Sequence, residues 1–230
     1  MALINDFMSL IYPQQCEACA NNLFAHEQFI CTHCKLNLPK SNYHTYPDSE
    51  LSRTFSGRIP LINASCYYLY EKSGKIQKLL RAIKYEEQKE LGEHLGILYG
   101  KDLAKQTSYA DISVILPIPL HKNKLKLRGF NQSEWFAKGL SKSMEKEMDL
   151  QSLERIVDTA TQTKKRKFQR WENVEGIFKV KDQAALVNKH ILLVDDVITT
   201  GATIEASWSA LRHVPGISVS VASIAFAAKG

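Results

Sequence analysis

The sequence predicts an α/β protein built on a doubly wound, mainly parallel sheet, with a small amino-terminal segment set apart from it. Three observations carry this expectation. Short apolar runs alternate with longer stretches of helical period, the pattern of strands joined by crossover helices. One run, Ile191-Leu-Leu-Val194, is apolar at every position, as a strand buried on both faces requires. Four of the five cysteines fall between Cys16 and Cys34, in a segment too short to bury a core of its own.

Composition bounds the rest. The chain has 230 residues, 44% hydrophobic and 23% charged, which excludes a disordered chain, a collagen-like repeat and a disulfide miniprotein. Lys and Arg number 30 and Asp and Glu 24, so 30 − 24 leaves a net charge of +6 and a modest attraction for phosphate-bearing partners. No run of about 18 apolar residues occurs, so membrane insertion is not expected. The opening MALINDFMSLIYP lacks a basic start and an unbroken apolar stretch, so it does not read as a secretory signal; a cytoplasmic protein is expected.

In chain order, Leu3, Phe7, Leu10 and Ile11 form the stripe of a short helix over 1–12, ended by Pro13. Two CxxC pairs follow, Cys16/Cys19 and Cys31/Cys34. Four thiolates in two short knuckles suit tetrahedral zinc in a closed, structural site, a zinc ribbon within residues 1–40. Residues 41–60, rich in serine and without period, read as a linker with one helical turn, and 61–230 as the main domain. Within it, 64–71 reads as a strand holding a buried Cys66, and 73–105 as two helices bent at 85–88. Residues 112–119 read as a strand closed by Pro117 and Pro119, and 129–144 as a helix. A polar, basic stretch runs from 155 to 175. Strands at 176–180 and 190–196, a helix over 204–213 and a last strand at 217–227 complete the chain.

The sharpest motif follows Val194: Asp195, Asp196, Val197, Ile198, Thr199, Thr200, Gly201, Ala202 and Thr203. In open α/β sheets ligands bind beyond the carboxyl ends of strands, where the next helix offers unpaired N–H groups and a partial positive charge to a phosphate. The threonines add hydroxyl donors, and Gly201 permits positive φ and close approach of the backbone. Two carboxylates repel phosphate, so Asp195 and Asp196 suit ribose hydroxyls or a magnesium ion, and the site suits a sugar phosphate held at both ends.

This segment resembles the 5-phosphoribosyl-1-pyrophosphate (PRPP) motif of type I phosphoribosyltransferases. More narrowly, the chain resembles the ComF family (ComF/GntX), phosphoribosyltransferase-like proteins associated with DNA uptake. Lys84-Tyr85, the stretch PIPLHKNKLKLRGFNQSE from Pro117 to Glu134, and Thr159/Gln162 followed by Arg170, Asn173, Gly176 and Phe178 carry the narrower match, which covers nearly the whole chain. The resemblance implies a type I phosphoribosyltransferase-like fold, PRPP with magnesium as ligand, and a pyrophosphate turn at Pro117, Leu120 and His121 with Arg128 beside it. It also implies contributions from Lys84 and, on a mobile loop from Arg155 to Phe178, from Gln162 and Arg170. Single-stranded DNA and a competence-machinery helicase are the partners it implies. Residues 40–60 lack the further cysteines that many relatives carry.

Two functions fit this chemistry beside a blander third, a site retained only as a regulatory nucleotide sensor. One is a PRPP-binding protein that handles incoming single-stranded DNA, with Phe168 and Trp171 as stacking rings among loop cations and Trp135 as core. The other is an active phosphoribosyltransferase with an acceptor that has no sequence signature. The basic loop serves either: it could close over a sugar phosphate or track a nucleic-acid backbone.

Overall fold

The computed structural model describes residues 14–86, 88–158 and 176–228. The helix expected over 1–12, together with Gln162, Phe168, Arg170 and Trp171, lies outside the described residues.

Its centre is a five-stranded sheet, all parallel, in the order β1-β7-β6-β2-β3. The strands are β1 (Leu61–Leu69), β2 (Val114–Pro117), the two-residue β3 (Glu147–Met148), β6 (His190–Ile198) and β7 (Ser218–Phe226). A separate antiparallel ribbon pairs β4 (Leu153–Arg155) with β5 (Phe178–Val180). The helices are α1 (Thr32–Asn37), α2 (Glu50–Phe55), α3 (Lys75–Tyr85), α4 (Lys89–Leu103), α5 (Lys122–Arg128), α6 (Gln132–Met144) and α7 (Ala202–Leu211).

Strand periodicity divides the core into two layers. Ile115, Leu192, Val194, Ala222 and Ile224 face one side and pack with α3, α4 and α6. Their neighbours Val114, Leu116, Ile191, Leu193, Val219 and Val221 face the other and pack with α2 and α7. Successive side chains of a strand alternate faces, so a sheet covered on both sides needs apolar residues at every position. On the first face α4 and α6 come very close. A Cβ on Gly96 would lie 2.2 Å from the Phe136 carbonyl, and one on Gly139 would lie 2.1 Å from that of Glu93.

The expected strands and helices of the main domain are present, with ends shifted by a few residues, and the helical stretch divides at Tyr85 as expected. Three features differ from expectation. The basic stretch after Pro119 contains a helix, α5, capped by His121 and ended by Gly129 at φ +77°. Strands β3 and β4 had no apolar run to announce them. The segment expected as a linker with one helical turn has its short helix, α2, capped by Ser49, but that helix buries Leu51 and Phe55 completely in the second core layer. Those two residues sit four apart, one above the other on a helix, so even a six-residue helix presents a continuous apolar edge. The cysteine segment is likewise continuous with the body: Cys16, Ala18, Ile30, Cys34 and Leu38 share the first core layer with Tyr67, Tyr68 and Leu79.

Candidate functional site

Parallel strands deliver their carboxyl ends to one edge of the sheet, and two of those ends form the site. Pro117 of β2 pairs with Val194 of β6, so the turn after Pro117 lies beside Asp195 and Asp196. Ile118 N–H donates to the Val194 carbonyl (2.9 Å), holding the turn against β6. Asn131 fixes its far end, donating from Nδ2 to the Ile118 carbonyl (3.0 Å) and capping α6 by accepting from Ser133 N–H (3.2 Å).

The acidic pair is held from several sides. Ser133 donates its hydroxyl to Asp195 Oδ1 (3.2 Å), which also accepts from Asp196 N–H (2.9 Å). Asp196 Oδ1 accepts from Val197 N–H (2.6 Å), and its Oδ2 meets Lys84 Nζ at 2.8 Å. Burial and the neighbouring Asp196 charge raise the Asp195 carboxyl well above its ordinary range, with Lys84 offsetting part of the effect. Two carboxylates side by side, balanced by one lysine, suit a ligand that donates hydrogen bonds or brings a cation.

Beyond them Ile198 is buried and Thr199 and Thr200 are exposed. Gly201 takes φ +78° at the amino terminus of α7, and no side chain caps the helix from that position. Thr200 Oγ1 accepts from Ala202 N–H at 3.4 Å. The turn is therefore the amino end of a ten-residue helix with its partial positive charge facing outward. A buttress supports it from the expected linker. Phe55 lies directly beneath Gly201, where a Cβ would fall 2.5 Å from its ring. Arg58 pairs with Glu205 of α7 and donates to the Thr200 carbonyl (3.3 Å).

On the β2 side, His121 caps α5 and meets Asp158 at 3.4 Å, and Asn123 donates to the same carboxylate (3.2 Å). Arg128 donates to Gln132 Oε1 (2.9 Å). Arg155, on β4, lies within electrostatic reach of both Asp195 and Asp158; burial lowers its pKa and the two carboxylates raise it. Burial, then the Arg155 charge, lowers that of Lys124, with Arg128 adding to the effect. Cations held near one another favour an incoming anion.

Of the residues the sequence singled out, the structure brings together Asp195, Asp196, Lys84, the 197–203 turn and the turn from Pro117 to His121, with Arg128 at the end of α5. Gln162 and Arg170 lie outside the described residues. Sequence reasoning missed Ser133, although it lies in the quoted GFNQSE stretch. It also missed Arg58 and Phe55, which carry no motif, and it treated Arg155 only as the start of a loop. Trp135, expected as core, is half-buried between Lys89 (5.0 Å) and Lys138 (4.3 Å).

At the other end of the chain the Sγ atoms of Cys16, Cys19, Cys31 and Cys34 lie within 4.8 Å of one another and could hold a metal ion. Cys19 and Cys31 are 3.8 Å apart, about the edge of a tetrahedron with ~2.3 Å zinc–sulfur bonds. Backbone N–H groups of Cys31 and Cys34 point at Cys16 Sγ (3.3 Å) and Cys31 Sγ (3.4 Å), as thiolates require. Burial resists ionisation of Cys16, but N–H donors outweigh it and lower its pKa to about 7. Burial and the neighbouring sulfurs push Cys34 up to about 12, so a cation is what would let all four ionise. Cys66 stands apart in β1, fully buried, its thiol pushed up to about 12 by that burial. No helix among the described residues is long and apolar enough to cross a membrane.

No family model matches the chain. Over 198 residues it is 28% identical to the competence protein ComFC of Bacillus subtilis, an overlap of 85% of this chain and 77% of that protein. Over 132 residues it is 27% identical to the DNA utilization protein YhgH of Shigella flexneri, and equally to that of Escherichia coli K12. Those overlaps take in 56% of this chain and 57% of each relative, so the match spans little more than half of their length.

Proposed function

The chain belongs to the ComF family, and on that premise we propose that it binds PRPP or a related ribose phosphate and serves DNA utilization in the cytoplasm, handling single-stranded DNA. The observation that carries the sugar-phosphate part is the arrangement at the carboxyl end of β6. An outward-facing helix amino terminus behind Gly201 stands beside a paired Asp195–Asp196. The first suits the 5-phosphate and the second the ribose hydroxyls. In this proposal the fold is of the type I phosphoribosyltransferase kind, and pyrophosphate lies against the turn from Pro117 to His121 with Lys124, Arg128 and Arg155 near it.

Magnesium, when bound with PRPP, would neutralise pyrophosphate charge; Asp195 and Asp196 are the carboxylates on hand to orient it. Ser133 and Lys84 hold the acidic pair in place, and Asn131 fixes the turn. Zinc in the four-cysteine cluster would tie residues 16–34 to β1 and α3. The basic segments around α5 and residues 164–170 would follow a phosphate backbone, and a helicase of the uptake machinery is the partner that would deliver the strand. The names of the relatives support the DNA role.

A second function, catalytic transfer of the phosphoribosyl group, is favoured by one observation: a cavity of about 600 Å³ opens directly beside Asp196 and Thr199.

The test is a thermal-shift titration with PRPP and magnesium beside Asp195→Asn/Asp196→Asn. Ligand at 100 times its dissociation constant should add about 2.7 kcal/mol, roughly 5–10 °C for this chain length. An equal shift in the double variant would refute the site. For the DNA part, anisotropy with an oligothymidylate should show affinity falling steeply with salt; no binding at low salt would refute it.

A further inference from the structure

Lys84 is the last cation of α3, and the helix fixes where its ammonium stands. Ile76, Leu79, Leu80, Ala82 and Ile83 bury one face of α3 in the first core layer. Lys84 leaves that layer at its border, and its Nζ meets Asp196 Oδ2 at 2.8 Å. The two side chains are only 23% and 16% exposed, so solvent screens this pair less than it screens the surface pair of Arg81 and Glu86. Two further oxygens of the acidic pair are engaged: Asp195 Oδ1 by Ser133 Oγ and Asp196 N–H, Asp196 Oδ1 by Val197 N–H. Magnesium takes about six oxygen ligands in near-ideal octahedral geometry at about 2.1 Å, and gives up its waters reluctantly. On Asp196 Oδ2 it would stand against the Lys84 ammonium, a charge of the same sign. Lys78 and Arg81, which line the cavity on this side of Asp196 together with Lys84, add to that barrier. A ribose hydroxyl meets no such barrier, because it is neutral and needs only one open lone pair of a carboxylate oxygen.

We propose that Lys84 is the resident counter-cation of the acidic pair and lets a ribose phosphate bind without a divalent metal. The inference rests on the sugar-phosphate function proposed above and adds its charge requirement. Two adjacent carboxylates repel an incoming phosphate, and the ammonium on Asp196 offsets that repulsion before any ligand arrives. Magnesium is then needed only where a ligand brings pyrophosphate charge of its own, at the turn from Pro117 to His121. Ribose 5-phosphate, which carries no pyrophosphate, binds equally with and without magnesium. Lys84 thereby acts through the carboxylates as a positioning residue that selects a sugar over a metal ion at the acidic pair.

The experiment is calorimetric titration of the full chain with ribose 5-phosphate, in magnesium-free buffer and with magnesium in excess. No chelator is added, so a metal on the four cysteines is left in place. Wild type and Lys84→Arg should each give dissociation constants that agree within about twofold between the two buffers. Lys84→Met, which removes the charge and keeps most of the side-chain volume, should bind about tenfold more weakly without magnesium and recover when it is added. Manganese without any sugar reads the same charge directly: the amides from 195 to 199 should keep their signals in the wild type and broaden in Lys84→Met. A wild type that needs magnesium for ribose 5-phosphate overturns the proposal, as does Lys84→Met with wild-type affinity in magnesium-free buffer. A loss in Lys84→Met that magnesium does not restore also overturns it and makes Lys84 a direct ligand of the sugar phosphate. If Lys84→Met does not fold, the wild-type titration and the wild-type manganese spectrum decide, and broadening at 195–199 overturns the proposal. A wild type that binds no ribose 5-phosphate in either buffer marks failure of the underlying function, whereas the manganese spectra test the role of Lys84 independently of it.

Discussion

Alanine in place of Gly201 should strain the turn before α7 in two ways. The backbone there has φ +78°, a left-handed conformation that costs an L-residue about 1–2 kcal/mol. The new Cβ would also fall 2.5 Å and 2.9 Å from two ring carbons of Phe55, and that ring, 1% exposed, has no room to retreat. Overpacking of this kind costs about 1–3 kcal/mol. A total near 3 kcal/mol corresponds to a melting temperature lowered by roughly 6–12 °C for a chain of this length. Phe55→Leu removes the struck atoms while losing buried ring area, at about 1–2 kcal/mol. In Gly201→Ala/Phe55→Leu the clash is gone and only the backbone cost remains, so the two losses should sum to more than the double variant shows. Urea unfolding of all four proteins, followed by circular dichroism, measures the difference as a coupling of about 1–3 kcal/mol. Additivity within about 0.5 kcal/mol would refute the buttress, because residues that do not touch behave that way.

Other perturbations have equally definite outcomes. Asp195 has its pKa raised in the folded chain, from the ordinary carboxyl value of 3.8 to about 7, chiefly by burial and by Asp196. The folded state thus holds a proton that the unfolded state has lost, and this contribution to stability declines as pH rises through that window. Asp195→Asn should consequently melt higher than wild type at pH 8, with the gain shrinking towards pH 4, and yet fail to bind PRPP. Chelation of the metal, or Cys34→Ser, should lower the single cooperative melting transition rather than melt a local segment, because Cys16, Cys31 and Cys34 share a core layer with β1 and α3; elemental analysis should find about one zinc per chain. Gly139→Ala should destabilise by about 3 kcal/mol or more in urea, since its Cβ meets the Glu93 carbonyl at 2.1 Å and the Ile97 nitrogen at 2.6 Å, backbone atoms that cannot swing aside.

What was legible in the sequence was what local chemistry announces. Ile191–Val194 reads as a doubly buried strand because both faces of the sheet are covered, and the residues after it read as a phosphate turn because glycine and threonine have few other reasons to follow two aspartates. The cysteine pairs declared their cluster by spacing alone. What stayed hidden depends on long-range packing. Leu51 and Phe55 look like isolated apolar residues among serines until α2 folds against α7 and places Phe55 under Gly201. Arg58 reaches Thr200 across 142 positions of sequence, a contact that no local pattern encodes. Arg155 joins the site because β4 pairs with β5, a ribbon of three residues on each side. Gly96 and Gly139 carry no motif between them, although they set how closely α4 and α6 approach.

The central claim is that the turn from Thr199 to Thr203 holds the phosphate of a ribose phosphate. Amide chemical shifts of the isotope-labelled chain test it most directly, with ribose 5-phosphate added first and PRPP with magnesium second. The account predicts that the Gly201, Ala202 and Thr203 amides move with ribose 5-phosphate, and that amides between Ile118 and Lys124 move only when pyrophosphate is present. Shifts confined to exposed lysine-rich segments, with the Gly201–Thr203 amides unmoved at saturation, would contradict it.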